Sequence, residues 1–257
     1  MTLDLSGRAA LVTGASRGIG RAVAERLAEA GAAVGVHYVR SRDAAEALAD
    51  ELGNGARAFR ADLGEPGAAT ALWDAARVAF GRVDVAVANA GVFEEAPLDG
   101  PLDGWLGAWD RTLAVNLRAV AEVGRAALLH AAERRGRGEP GVTVRLVTVS
   151  SRAAFRGDDP EYLAYAASKG GVVALTKSLA RAGGGLAAFG VAPGFTRTDM
   201  AAPAIEARGE EAVWAGAALG RMTRPDDVAP TVVFLASGLA DHATGTTVDV
   251  NAASYVR

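Results

Sequence analysis

The sequence predicts an α/β fold: a doubly wound parallel β-sheet of about seven strands with helices on both faces. Three observations carry this expectation. Short apolar runs alternate with stretches of helical periodicity along the whole chain. The first apolar run passes directly into a glycine-rich loop and then a helix, the opening unit of a nucleotide-binding sheet. Half of the 257 residues are hydrophobic, enough for one large core. No repeat or linker divides the chain, so residues 1–257 are read as a single domain, with a substrate flap near 195–220.

The elements follow in order. Arg8–Val12 is a buried strand, followed by the loop Thr13–Gly20 and a helix with Ile19, Val23, Leu27 and Ala30 on one face. Gly31 ends that helix and Ala32–Tyr38 is the second strand. Asp43–Leu52 is a helix, Ala56–Ala61 a strand, Ala68–Phe80 a helix and Val83–Val87 a strand. Phe93–Gly104 is a Pro- and Gly-rich connection, and Trp105–Ala132 reads as one long helix. Glu133–Gly141 is a charged exposed loop and Val142–Val149 the fifth strand. The loop Arg152–Glu161 leads into a helix over Tyr162–Ala180. Leu186–Ala192 is the sixth strand, Ala201–Ala218 a mobile flap with little periodicity, Pro225–Leu235 a helix and Gly245–Val250 the last strand.

Bulk properties exclude several classes. A net charge of −3 argues against a nucleic-acid partner. The chain has no cysteine, hence no disulfide or thiolate metal site, which fits a reducing, cytoplasmic setting. No apolar run is long enough to span a membrane, and the first seven residues do not resemble a signal peptide. His37, His130 and His242 lack ligand spacing, so no metal is expected.

Two stretches carry chemistry. Glycines in the first loop let the backbone approach a pyrophosphate, and the helix start offers free N–H groups to it. At the end of the second strand, plain NAD use would place a carboxylate. Here the residues are His37-Tyr-Val-Arg-Ser-Arg-Asp43, and Arg40, Ser41 and Arg42 offer donors for a 2′-phosphate, with Arg17 within reach of the same place. NADP(H) is therefore favoured over NAD(H). In the second stretch, Tyr165 and Lys169 stand four residues apart on one helical face. A close ammonium lowers the pKa of a phenol from its usual value of about 10, which suits proton transfer. Asn116 is an odd amide within an apolar stripe, read as a core group bonded to backbone.

The joint order of these motifs resembles the classical branch of the short-chain dehydrogenases/reductases, within it 3-oxoacyl-[acyl-carrier-protein] reductase-like members. Thr13-Gly-Ala-Ser-Arg-Gly-Ile-Gly20 is similar to that family's cofactor loop, Asp62 to its adenine-binding acid, and Asn89-Ala-Gly91 to its strand-end motif. Tyr165-x-x-x-Lys169 is similar to the catalytic pair, Asn116 to the structural and proton-relay asparagine, and Pro193-Gly194 with Thr196 to the turn that holds the nicotinamide carboxamide. The resemblance implies a Rossmann-type fold and a catalytic set of Ser151, Tyr165, Lys169 and Asn116. It implies a cofactor site of Gly14, Ser16, Arg17, Gly18, Ile19, Gly20, Arg40, Ser41, Arg42, Asp62, Leu63, Asn89, Ala90, Gly91, Tyr165, Lys169, Pro193, Gly194, Thr196 and Thr198. Ser150 is the alternative to Ser151, because successive strand residues face opposite sides.

The family's activity implies NADPH-dependent reduction of a ketone, with 3-oxoacyl thioesters as the nearest substrate class. Phe93, Phe155, Phe195 and the flap from Ala201 to Trp214 are mostly apolar and small, and suggest an uncharged small-molecule carbonyl substrate. Two other readings are an NAD-dependent alcohol, sugar or polyol dehydrogenase and a non-catalytic NADP-binding protein. The family also implies a homo-oligomer, a tetramer or dimer. This sequence departs from the family in a short Arg181–Gly190 segment rich in glycine and in the absence of an Asp-Gly-Gly turn near the C-terminus.

Overall fold

The β-branched and alanine-rich apolar runs all become strands of one sheet. A computed structural model describes residues 3–257, so Met1 and Thr2, part of the segment read for a signal peptide, lie outside it. The strands are β1 (Ala9–Val12), β2 (Ala33–Tyr38), β3 (Arg57–Arg60), β4 (Val85–Ala88), β5 (Val144–Val149), β6 (Leu186–Pro193) and β7 (Thr247–Val250). Their order is β3-β2-β1-β4-β5-β6-β7, with every neighbouring pair parallel. The order reverses between β1 and β4, and a crevice opens there beyond the carboxyl ends of the strands.

The helices are α1 (Gly18–Glu29), α2 (Arg42–Leu52), α3 (Ala68–Phe80), α4 (Leu102–Leu113), α5 (Ala119–Gly136), α6 (Ala153–Arg156), α7 (Leu163–Ala182), α8 (Ala202–Arg208), α9 (Glu210–Trp214) and α10 (Pro225–Ala236). Alternation along the strands builds two cores. Val12, Val36, Val87, Val147 and Phe189 pack against Val23 and Leu27 of α1, Leu48 of α2 and Val232 of α10. Leu11, Ala86, Leu146 and Ala188 face the other way, onto Trp73 of α3, Val123 of α5 and Val172 of α7. Strands buried on both faces need no polar positions, which is why they read as continuous apolar runs.

Five expectations change. The long helix expected from Trp105 starts earlier, at Leu102, and runs through a π-turn at Ala114–Arg118 into α5, which continues to Gly136. The charged residues Glu133, Arg134 and Arg135 are therefore helical; Glu133 pairs with Arg137, Arg134 pairs with Asp84 at 2.9 Å, and Arg135 donates to the Gly141 carbonyl at 3.3 Å. The Tyr165 helix begins at Leu163 and reaches Ala182, where Gly183, Gly184 and Gly185 all take positive φ and turn the chain into β6. The loop Arg152–Glu161 contains α6 and a 3₁₀ turn at Pro160–Tyr162. The flap segment is helical: a 3₁₀ turn at Asp199–Ala201 leads into α8 and α9, and Ala201, Val213 and Met222 form a small apolar cluster with Phe195 and Trp214.

Candidate active site

The carboxyl ends of β1 to β6 line a cavity of about 550 Å³. At its first end lies the glycine loop. Thr13 closes β1, and its hydroxyl accepts hydrogen bonds from the N–H groups of Asn89 (2.9 Å) and Ala90 (3.0 Å). The Asn89 amide donates back to the carbonyls of Thr13 (2.9 Å) and Gly14 (3.2 Å). The loop between β1 and α1 is thus tied to the end of β4. Gly20 is the tightest point: a Cβ there would lie 2.2 Å from the Gly14 carbonyl oxygen and 2.6 Å from the Asn89 amide. Gly20 does not line the cavity. Its missing side chain lets α1 start against the strand. Gly14, Ser16, Arg17, Gly18 and Ile19 do line it, the arrangement a pyrophosphate needs.

His37 is the residue that sequence reasoning missed. It is buried on β2 and lines the cavity. Its Nδ1 accepts from the Gly14 N–H at 2.9 Å, so its Nε2 carries the proton and donates to the Ala61 carbonyl at 3.0 Å. Burial holds its pKa below the ordinary value. A signal existed: a polar residue in a strand otherwise apolar on both faces needs buried partners.

Arg40 and Ser41 reach the cavity, as does Arg17, which pairs with Asp199 of the flap at 3.1 Å. Arg42 does not. It is the first residue of α2 and its guanidinium bonds Glu46 one turn on at 2.8 Å, so it is engaged along the helix instead of facing a 2′-phosphate. Asp62 and the buried Leu63 lie beyond β3, with Asp62 Oδ1 accepting from the Gly64 N–H at 3.0 Å.

The other end of the cavity holds the proposed chemistry. Both serines line the cavity, but Ser150 is buried and its hydroxyl is spent on the Lys169 carbonyl at 2.9 Å, whereas the Ser151 hydroxyl accepts from the Ala153 N–H at 3.1 Å and keeps its proton free. The Ser151 hydroxyl also faces the Tyr165 phenol and favours its ionised form. Burial outweighs this and pushes the Tyr165 pKa up to about 12. The lowering expected from Lys169 is absent. The Lys169 ammonium donates to the Val149 carbonyl at 2.9 Å and lies 5.7 Å from the Tyr165 ring centroid, and burial pushes its pKa down to about 8. The two residues share a helical face, but the lysine is turned toward β5.

Asn116 sits in the π-turn and is fully buried. Its Oδ1 accepts from the Val92 N–H (2.8 Å), and its Nδ2 donates to the Val92 carbonyl (2.9 Å) and the Ser168 hydroxyl (3.2 Å). The amide therefore joins the kinked helix to the end of β4 and to α7. Gly91 is wedged between Asn116 and Lys169, since a Cβ there would lie 3.2 Å from one and 3.4 Å from the other. Gly91, Asn89, Ala90, Pro193, Gly194, Thr196 and Thr198 line the cavity. Thr196 donates to the Gly194 carbonyl at 3.0 Å and fixes that turn.

The substrate end is less apolar than expected. Phe93 stacks on Tyr162 at 4.0 Å and meets Tyr165 edge-on at 4.7 Å. Phe195, Met200 and Ala201 line the cavity, but Phe155 and Trp214 do not. Phe155 lies instead beneath the Arg257 guanidinium, 3.8 Å away. Charged residues join the lining: Glu94, Arg152, Arg156 and Asp158. The expectation of a mostly apolar pocket that includes Phe155 and Trp214 is corrected accordingly. Among the described residues no group of His, Asp and Glu has the arrangement of a metal site.

A parallel sheet with a glycine-turned crevice at its switch point, and a Ser–Tyr–Lys set across that crevice, define a nucleotide-linked oxidoreductase acting on C=O or CH–OH groups. Comparisons with known proteins agree. A family model described as Enoyl-(Acyl carrier protein) reductase matches residues 14–252. The 3-oxoacyl-[acyl-carrier-protein] reductase FabG of Escherichia coli is 34% identical, covering 99% of this chain and 100% of that protein. A short chain dehydrogenase from Burkholderia cenocepacia in complex with NADP has a TM-score of 0.84 at 36% identity, covering 97% and 98% of the two chains. A 3-ketoacyl-(acyl-carrier-protein) reductase from Brucella melitensis complexed with NADH has a TM-score of 0.86 at 31% identity, covering 98% and 100%. The chain belongs to the short-chain dehydrogenases/reductases.

Proposed function

We propose that the protein is an NADPH-dependent ketone reductase. The observation that carries this reading is the convergence of Ser151, Tyr165 and Lys169 at one end of a cavity whose other end holds the glycine loop, Arg17, Arg40 and Ser41. The loop residues Gly14, Ser16, Arg17, Gly18 and Ile19, which line the cavity and are tied to the end of β4 by Thr13 and Asn89, fit the pyrophosphate of a dinucleotide. A bound nicotinamide would supply the hydride. Ser151 and Tyr165 donate hydrogen bonds to the carbonyl oxygen. With its phenol near 12, Tyr165 is protonated at neutral pH, the form needed to deliver a proton to that oxygen. Lys169 holds the nicotinamide ribose when it leaves the Val149 carbonyl, and its charge then eases loss of the Tyr165 proton. Asn116 orders the water that returns a proton to Lys169. Arg40, Ser41 and Arg17 bind the 2′-phosphate, and Asp62 the adenine.

The names of the relatives make 3-oxoacyl thioesters the first ketones to assay. We place the enzyme in the cytoplasm; no helix of the described residues is long and apolar enough to cross a membrane. A dimer or tetramer is proposed through α4, α5 and α7, where Leu102, Leu106, Leu129 and Leu163 are exposed. The test is NADPH oxidation with thioester, aryl and quinone ketones, wild type beside Tyr165→Phe. Tyrosine-dependent turnover on one class supports the reading, and retained cofactor binding without turnover on any sinks it. Arg42 is engaged by Glu46, which leaves fewer cations for a 2′-phosphate and gives NAD-linked oxidation its one supporting observation. A strong preference for NADH over NADPH would select that second reading.

A further inference from the structure

One charge in the cavity has no part in this scheme. Arg152 follows Ser151 directly, and its N–H donates to the Pro193 carbonyl at 3.0 Å. The same turn has the Ala153 N–H on Ser151 Oγ at 3.1 Å, so the hydroxyl aimed at the substrate carbonyl and the arginine beside it share a fixed frame. The C-terminal tail braces that frame, with the Tyr255 hydroxyl on the Phe155 carbonyl at 3.4 Å. The Arg152 side chain lines the cavity, is partly buried, and lies 5.1 Å from the centroid of the Phe195 ring.

Among the described residues no carboxylate pairs with Arg152. The nearby candidates are used elsewhere: Asp158 lies 3.5 Å from Arg156, and Glu94 pairs with Arg111 at 2.9 Å. Two guanidinium groups, Arg152 and Arg156, thus face one carboxylate, Asp158, at the substrate end, leaving one positive charge uncompensated. Burial, and then the like charge of Arg156, both act against the ionised form of Arg152. Arginine does not escape by deprotonating. A partly desolvated guanidinium without an acceptor is costly, and a ligand acceptor would relieve that cost.

We propose that Arg152 is a specificity residue: it binds a carboxylate carried by the ketone, so the preferred substrate is a short-chain oxo acid whose carbonyl meets Ser151 and Tyr165. This rests on the ketone-reductase reading. The planar fork of a guanidinium matches a carboxylate in two parallel hydrogen bonds. One net positive charge matches a monoanion; a phosphate dianion would leave negative charge unmatched. A 3-oxoacyl thioester carries no charge beside its ketone, so Arg152 distinguishes the two substrate classes.

The test compares matched pairs, phenylglyoxylate with its methyl ester and acetoacetate with its methyl ester, by kcat/KM for NADPH oxidation. The acid is favoured about 10- to 100-fold in the wild type, the range for a charge-assisted hydrogen-bonded pair. Arg152→Gln brings the acid-to-ester ratio near one, and Arg152→Lys retains part of the preference. A second readout needs no turnover: calorimetric titration of phenylglyoxylate into protein saturated with NADP⁺, a pair that cannot react. Its Kd rises about tenfold or more in Arg152→Gln relative to the ester. Equal use of acid and ester by the wild type, or a ratio unmoved in Arg152→Gln, overturns the assignment and leaves the reductase standing. Arg152-dependent binding without Tyr165-dependent turnover of any ketone overturns the reductase reading and the substrate role with it.

Discussion

Replacing His37 by Asn tests whether the glycine loop depends on a neutral imidazole. In the folded protein Nδ1 must be unprotonated to accept from Gly14, and Nε2 is held by Ala61. Asp62 favours the imidazolium, but burial dominates and lowers the pKa. The unfolded chain has no such restraint and takes up a proton near pH 6.5. The contribution is therefore complete above pH 6.5 and is lost as pH falls from there toward the lower folded value. With the folded imidazole still neutral, the loss between pH 7.5 and 5.5 approaches about 1.4 kcal/mol. His37→Asn keeps an acceptor for Gly14 but leaves the Ala61 carbonyl short of a donor, costing about 1–3 kcal/mol at pH 7.5. Urea unfolding of both proteins at pH 7.5, 6.5 and 5.5 gives the comparison, and the identical His130 cancels between them. The deficit of the variant should shrink by up to about 1.4 kcal/mol on going to pH 5.5. A deficit that stays constant with pH would refute the argument.

Reduction should slow as pH rises through about 8, where the Lys169 ammonium is lost, while Tyr165 stays protonated to about 12; kcat/KM flat from pH 7 to 10 would count against the role of the lysine. Tyr165→Phe should lower kcat about 10²- to 10⁴-fold with NADPH affinity retained, read by steady-state kinetics and fluorescence titration. Gly20→Ala sets a methyl 2.2 Å from the Gly14 oxygen; NADPH binding should be lost and stability reduced by about 1–3 kcal/mol, and a variant that binds cofactor normally would show that the loop yields. Arg134→Ala removes a buried partner of Asp84, whose side chain is 1% exposed. It should cost about 3 kcal/mol in urea unfolding, somewhat relieved by Arg82, which also meets that carboxylate.

The fold was legible because its signals are local and contiguous. β1, its glycine loop and α1 lie within 21 residues, Ala9–Glu29, and burial on both faces makes the strands continuous in sequence. Tyr165 and Lys169 were legible by spacing along one helix. Where Lys169 Nζ points was not, because Val149 belongs to another element. The π-turn at Asn116 was hidden for the same reason: the amide looks misplaced until Val92 and Ser168 are brought to it. Arg42 was misread because one residue decides whether it ends a loop or starts α2, and helix starts are poorly marked when the cap residue, here Ser41, makes no side-chain bond. Arg152 was read only as the start of a loop. Its interest lies in the partner it lacks, and a linear sequence does not display a missing partner.

The reversal of strand order between β1 and β4 also partitions the crevice along the chain. Arg17, Arg40, Ser41 and Asp62 come from the first 62 residues, on the β1–β2–β3 wing. Ser151, Arg152, Tyr165 and Phe195 follow strands β5 and β6 on the opposite wing. On the proposed reading, the groups assigned to nucleotide and to ketone come from separate stretches, joined by the Arg17–Asp199 pair at 3.1 Å. Exchanges at Arg40 and Arg152 should behave as independent inputs, their effects on kcat/KM multiplying in the double variant to within about twofold. That separability would let the residues before β4 be traded for those of a relative with the other nucleotide preference while the ketone pocket is left alone.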